Sequence, residues 1–162
     1  MAEEKVYHTI EPVYVKDSKI LILGSMPSVS SRENNFYYAH PQNRFWKVLS
    51  NVYDEDIPQS IESKKDFLKR HNIALFDVVK SCTIKGSSDS SIKNVEVNDI
   101  ESILKTTNIS KIYTAGKTAH NLYNKYLKNK LNKEAICLPS TSPANAKISY
   151  DDLLKEYSVI KK

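Results

Sequence analysis

Ten consecutive residues, Tyr37-Tyr38-Ala39-His40-Pro41-Gln42-Asn43-Arg44-Phe45-Trp46, concentrate more chemistry than any other stretch of this chain. Aromatic rings, an imidazole, two carboxamides and a guanidinium stand directly before an apolar helical pattern. A segment that only packed into a core would not need so many hydrogen-bonding groups beside its rings. Stacking faces next to amides suit the recognition of a planar heterocycle such as a nucleobase. Asn43 is the most versatile of these groups, since its carbonyl oxygen can accept from water and its NH2 can donate to a base. An amide is a poor Brønsted base, so its contribution is positioning rather than proton abstraction. The structural alternative is a helix-start residue that ties down the preceding loop. Tyr38 can stack on a base, an interaction worth roughly 1–3 kcal/mol, or close the loop as a core-facing ring. His40 can hydrogen-bond a base or a phosphate, or, being followed by Pro41, fix the loop. Arg44 suits a phosphate or an acidic partner, Phe45 and Trp46 read as helix core, and Tyr37 as packing.

Two more segments carry usable polar groups. Asp89 lies among Ser87, Ser88, Ser90 and Ser91, and can accept from a ring N–H or orient water. A solvated serine-rich loop is the alternative there. Pro139–Lys147 combines small hydroxyl residues with free backbone N–H groups, which grip phosphates without bulk. Its Pro143 and Ala144 can fill a gap in a base stack. The turn Ala115-Gly116-Lys117-Thr118 can hold a phosphate at a helix N-terminus, but it lacks the glycine spacing of a Walker loop. Asp77 ends an apolar run and reads as a structural hydrogen bond to the next loop.

The elements that must hold these groups read as alternating strands and helices. Strand-length apolar runs recur at Lys19–Leu23, Ile73–Val79, Lys111–Ala115 and Ala135–Leu138. They are nearly continuous rather than alternating, as in strands covered on both faces. Helical patterns lie between them: one from near Pro41, one after Pro58, one opened by Asn98 with Glu101, one over Ala119–Leu127, and a terminal helix over Leu153–Ile160. The expected fold is α/β, three-layer α/β/α, with a short, mainly parallel central sheet of about four strands. In such sheets ligands bind outside the carboxyl ends of the strands. The loops Gly24–His40, Ser81–Asn94 and Pro139–Lys147 each follow a strand and are expected on that one side.

Composition bounds the rest. A length of 162 residues suits a single domain over 1–162. The net charge of +5 is compatible with a polyanionic partner, yet the charges are dispersed and form no basic tail. Cys82 and Cys137 belong to no CxxC pair or Cys/His cluster, which argues against zinc and iron–sulfur centres and for free thiols. The first residues lack a signal-peptide core, and no run reaches membrane-spanning length. A soluble cytoplasmic protein, nucleoid-associated if prokaryotic, is expected.

Taken together, the motifs resemble the uracil-DNA glycosylase superfamily. Gly24-Ser25-Met26-Pro27-Ser28 followed by Tyr38-Ala39-His40-Pro41-Gln42-Asn43-Arg44-Phe45-Trp46 is similar to its N-terminal half. Leu138–Ala146 lies where that superfamily carries its C-terminal Pro-Ser DNA-insertion loop, and Gly86–Asn94 resembles a segment of the deoxyinosine branch. The resemblance is closest to that hypoxanthine-removing branch and covers about Lys19 to Ala146. It implies a uracil-DNA glycosylase-like fold and a monofunctional DNA glycosylase of base excision repair, acting after base flipping. Hypoxanthine is the expected substrate, DNA the partner (duplex or single-stranded), a monomer the working form, and no cofactor or metal is implied. Asn43 and Asp89 are the implied catalytic residues. Gly24, Ser25, Met26, Tyr38 and His40 would bind the base, and Ser28, Lys117, Ser140, Thr141, Ser142, Pro143 and Ala144 the DNA. Two positions depart from the family pattern. Met26 stands where related branches carry a water-positioning Asn or Asp, and Leu138 where the main uracil branch has a histidine. These departures shift the expected substrate from uracil to hypoxanthine. The alternatives are a damaged-base binding module without catalysis and a hydrolase of free nucleosides or nucleotides.

Overall fold

The computed structural model describes residues 3–161. All four expected strands are present: β2 (Ile20–Gly24), β3 (Ile73–Asp77), β6 (Lys111–Ala115) and β7 (Ala135–Leu138). They form one sheet in the order β3-β2-β6-β7, parallel throughout. Every residue of β2 and of β3 is buried, which is why both read as unbroken apolar runs. The chain leaves β2 to one neighbour, β3, and later returns to its other side as β6. That reversal puts a ligand-binding crevice at the carboxyl end of β2.

Helices flank this sheet. They are α1 (Val29–Asn34), α2 (Phe45–Val52), α3 (Ile61–Arg70), α4 (Ile100–Thr106), α5 (Lys117–Tyr126), α6 (Lys128–Leu131) and α7 (Tyr150–Tyr157). Among their contacts, α2 packs on α7, α3 on β3, and α5 on β6 and β7. The second of these helices starts at Phe45, later than the pattern from Pro41 suggested. Asn43 N–H bonds back to His40 O (2.9 Å), so those residues form a turn first. The short α1 lies inside a segment expected to be loop; Ser28 caps it by accepting from Ser31 N. The capping pair expected at Asn98 and Glu101 is displaced by one residue. Asp99 caps α4 by accepting from Ser102 N, whereas Asn98 is buried and donates to Asp77 O (2.9 Å) and Val79 O (3.1 Å).

A second sheet was not expected at all. β1 (Glu3–Tyr7), β4 (Val79–Lys85) and β5 (Lys93–Val97) pair antiparallel in the order β1-β4-β5. The segment Ser81–Asn94 is therefore no simple loop: its first third is the central strand of this sheet. The chain passes from β3 to β4 with only Val78 between them. Val78 N–H donates to Gly24 O (2.8 Å) and Val79 N–H to Ser25 O (3.0 Å), which locks the turn after β2 to the sheet junction. No described helix is long and apolar enough to cross a membrane.

Candidate active site

A cavity of about 350 Å³ opens at the carboxyl ends of the parallel strands. That is within the usual range for clefts that hold small organic groups. Its lining draws on the turn after β2, the segment Tyr37–Asn43, Asp77 at the end of β3, Ser87 and Asp89 at the β4–β5 tip, and Ser140–Ala144 after β7. Gly24, Ser25, Met26, Ser28, Tyr38, His40, Asn43, Asp89, Ser140, Thr141, Ser142, Pro143 and Ala144, all singled out in the sequence, meet there. Lys117 does not line the cavity. It is exposed at the start of α5, beside Gly116 (φ +100°), where an added Cβ would come within 3.2 Å of Ser140 Cβ.

Tyr38 is held in an unusual conformation. Its φ of +54° lies in the left-handed region, a strained place for an aromatic residue. The neighbours supply the restraint: Trp46 Nε1 donates to Tyr37 O (3.1 Å) and Ala39 N to Ser31 Oγ (3.1 Å). One face of the Tyr38 ring stacks on Phe45, with centroids 3.8 Å apart and planes at 12°. That leaves the other face for the cavity. The Tyr38 hydroxyl is buried without a hydrogen-bond partner, and burial pushes its pKa well above the ordinary tyrosine value. Phe45 and Trp46 are core residues as expected, and Tyr37 is buried with its hydroxyl donating to Glu11 O (2.9 Å).

Asn43 is fixed through its oxygen. Oδ1 accepts from Phe45 N–H (2.9 Å), capping the first turn of α2, and from the Thr141 hydroxyl (2.8 Å). The backbone N–H can only donate, so it identifies the oxygen end of the amide. Both lone pairs are thereby used, and no acceptor among the described residues takes the Nδ2 protons. Oδ1 cannot also accept from a water, so the water-positioning part of the sequence expectation is withdrawn. Thr141 is buried and spends its hydroxyl proton on Asn43, so it holds the site together rather than contacting phosphate through that proton. Arg44 pairs with no acid among the described residues; its guanidinium donates to Ile148 O (2.9 Å) and Asn145 O (3.1 Å), pinning the loop after β7.

The opposite set of groups is acidic. Asp89 sits at the rim, in a short 3-10 turn, and accepts from Ser25 Oγ (2.9 Å). The residue as a whole is exposed, yet its carboxylate is tethered to Ser25 and lines the cavity. Burial pushes its pKa up, the Ser25 bond works against that, and nearby Asp77 adds to it. The loop is not freely solvated: Ser87 Oγ accepts from Val29 N (2.9 Å) and Arg32 donates to Gly86 O (3.1 Å). Asp77 is buried at the floor. Its partner is not the following loop but His8, whose Nε2 lies 2.8 Å from Asp77 Oδ2. His8 was not anticipated; no motif or spacing links it to a residue 69 positions away. Gly24 admits this arrangement, because an added Cβ would stand 2.3 Å from Asp77 Oδ1 and 3.3 Å from the Tyr38 hydroxyl.

Around the rim, His40 Nδ1 accepts from Gln42 N–H (3.1 Å), which fixes the ring and leaves Nε2 free. Ser140 Oγ accepts from Ser142 N–H (3.1 Å) and Ser142 Oγ from Ala144 N–H (3.2 Å), so both hydroxyl protons remain available. Met26 brings no polar group; it is buried with Val79, Cys82 and Ile84. Leu138 is core as well.

Comparisons with known proteins identify the family. The family model "Uracil DNA glycosylase superfamily" matches residues 11–157. A protein of Methanosarcina barkeri named hypoxanthine DNA glycosylase is 43% identical over 96 residues, covering 58% of this chain and 60% of that protein. The match thus spans less than two thirds of that relative's length. Another of the same name, from Methanosarcina acetivorans, is 32% identical over 83% of this chain and 85% of its own length. A candidate uracil DNA glycosylase from Methanosarcina acetivorans, solved by NMR in solution, superposes with a TM-score of 0.80 at 29% identity, covering 96% of this chain and 99% of that one. The chain belongs to the uracil DNA glycosylase superfamily.

Proposed function

We propose that this protein is a monofunctional DNA glycosylase that removes hypoxanthine from deoxyinosine after the nucleotide is flipped out of the helix. The observation that carries the reading is the state of Asn43. Asn43 lines the cavity, and with its oxygen held by Phe45 N–H and Thr141 the amide has its NH2 left to donate. Two relatives named hypoxanthine DNA glycosylase support the choice of base.

Cleavage of an N-glycosidic bond leaves positive charge on the sugar and negative charge on the departing base. A donor already oriented toward the base oxygen stabilises that charge without reorganising in the transition state. Hypoxanthine can place its charge on O6; Asn43 Nδ2 donates there. Tyr38 stacks on the base with the face that Phe45 leaves free. A flipped nucleotide enters base first, so groups at the rim meet sugar and phosphate. Asp89 at the rim orients the attacking water, and its raised pKa makes it a better proton acceptor than an ordinary aspartate. The Ser140 and Ser142 hydroxyls and Lys117 engage the phosphates, while Pro143 and Ala144 occupy the vacated stack. The water attacks the sugar carbon, the base leaves, and an abasic site remains.

The test is incubation with labelled duplexes carrying deoxyinosine, uracil, xanthine or ethenoadenine, followed by alkaline scission. Release of hypoxanthine in preference to the others is expected. Tight binding to a deoxyinosine duplex without release would make it a binding module instead, and cleavage of free deoxyinosine alone a nucleoside hydrolase.

A further inference from the structure

The turn that carries Asn43 holds a second nitrogen that the reaction scheme leaves unused. His40 and Asn43 belong to one turn, closed by Asn43 N–H donating to His40 O (2.9 Å), and both residues line the cavity. His40 Nδ1 accepts from Gln42 N–H (3.1 Å). A ring nitrogen that accepts carries no proton, so the imidazole has its N–H at Nε2. The backbone sets that tautomer, since a peptide N–H can only donate. Pro41, next in the chain, restrains the turn further by fixing its own φ and disfavouring helical backbone at His40. No described residue takes the Nε2 proton. The turn thus presents two N–H donors that lack an acceptor among the described residues, Asn43 Nδ2 and His40 Nε2.

We propose that His40 Nε2–H donates to N7 of the extruded base, so that one turn reads the O6/N7 edge of a 6-oxopurine through two donors. The inference rests on the glycosylase reading above and adds to it the five-membered ring of the base. Hypoxanthine, like guanine, carries two acceptors side by side on that edge. Adenine keeps N7 but sets an amino group beside it, and that group meets the Asn43 donor with no acceptor between them. Uracil has no five-membered ring and leaves His40 without a partner. A site built around a hydrogen bond rejects a base that lacks it more strongly than an apolar pocket does. The contact also strengthens during the reaction. As the bond from the sugar to N9 breaks, its electron pair stays on the base and spreads through the five-membered ring to N7, where a fixed N–H meets the growing charge. His40 keeps its proton throughout. Phosphates have other partners on the rim in the Ser140 and Ser142 hydroxyls. Guanine shares the edge, and its rejection falls to the duplex, because a well-paired base costs more to extrude than a mismatched one.

The experiment measures dissociation constants for two duplexes with hydrolysis-resistant fluorinated sugars, one carrying hypoxanthine and one 7-deazahypoxanthine, in which a C–H replaces N7. The wild-type protein is expected to prefer hypoxanthine by about two- to tenfold, the worth of one neutral hydrogen bond. In His40→Asn the amide oxygen can still accept from Gln42 N–H, as in an Asx turn, but no donor reaches as far as Nε2. This variant is expected to bind the two duplexes alike, through weaker binding of hypoxanthine and unchanged binding of the deaza base. His40→Gln, whose NH2 extends about as far as Nε2, is expected to recover part of the preference. A phosphate contact or a loop-fixing role would change both duplexes by the same factor and leave the preference intact. Binding to a duplex with a tetrahydrofuran abasic site confirms that each variant is folded. If His40→Asn fails that control, His40→Ser, whose hydroxyl can accept from the same N–H, takes its place. Equal wild-type affinity for the two duplexes, or a preference kept without the imidazole in His40→Asn or its replacement, overturns the proposal. Absence of hypoxanthine release by the wild-type protein from an unfluorinated duplex would instead defeat the glycosylase reading, because these binding ratios do not depend on turnover.

Discussion

The two sets of residues that line the cavity are built on opposite principles. Asn43, Thr141 and Tyr38 are neutral, and the Asn43 oxygen is spent on holding the loops together, so Asn43 has only N–H left to offer. Asp77 and Asp89 are the reverse, each with one carboxylate oxygen tethered, by His8 and by Ser25 respectively, and the other without a donor among the described residues. On the proposed reading, the contrast teaches that the site's selectivity lies in the order of donors and acceptors. Its polar inventory alone would not supply it. A ring that offers acceptors to the donor side suits such a cavity; a ring that offers an amino group there does not. On that reading Met26 and Leu138 can be apolar, because the polar work falls to groups fixed by longer-range contacts.

Removing the donor side has the largest expected effect. Asn43→Ala should lower the single-turnover rate of hypoxanthine release by about 10²–10³-fold, the loss typical of one oriented oxyanion donor. Single-turnover kinetics on a deoxyinosine duplex measure it. Next comes the ring. Tyr38→Ala should weaken binding of that duplex by roughly 10- to 100-fold, as base–aromatic stacking implies, while binding of an abasic duplex changes less. Equal losses on both duplexes would remove Tyr38 from its stacking role.

The acceptor side is sharpened by pH. Burial is the main cause of the raised Asp89 pKa, opposed by the Ser25 bond. If ionised Asp89 orients the water, the rate falls on acidification with a midpoint above the ordinary aspartate value, and Asp89→Asn abolishes that limb. Stability follows the opposite sign. A carboxyl with a raised folded-state pKa binds its proton more tightly when folded, so its contribution favours the fold below the unfolded pKa. That contribution is lost as pH rises through the folded value. Asp89→Asn should flatten this part of the stability profile in denaturant titrations. The smallest expected effect is indirect. Thr141→Val removes one bond to Asn43 Oδ1 and frees the amide to turn, which should cost about two- to tenfold in rate, the worth of one neutral hydrogen bond. Full activity in Thr141→Val would mean that Phe45 N–H alone fixes the amide.

How much of this was legible in the chain depended on burial. β2, β3, β6 and β7 announce themselves because continuous apolar runs have no other reading at that length. The second sheet does not. Its β1 is Glu-Glu-Lys-Val-Tyr, almost wholly exposed, and β5 is mostly polar. The central β4, Val-Lys-Ser-Cys-Thr-Ile-Lys, hides its buried side behind Ser81 and Cys82. Asn98 looked like a cap because its spacing to Glu101 fits one, but the buried turn between the sheets claimed its amide. The cavity's members were mostly readable from local motifs, yet their partners were not. Asn43 with Thr141 and Asp77 with His8 are pairings across long separations, which only the folded chain creates.

The most direct test of the donor–acceptor order is the single-turnover rate of hypoxanthine release by Asn43→Asp. Aspartate has the same shape and can accept the same two bonds from Phe45 N–H and Thr141, so the protein should remain folded, as thermal unfolding would verify. It has no N–H, and it sets an anion against the departing base. The account predicts a loss of about 100-fold or more. Release at the wild-type rate would contradict it.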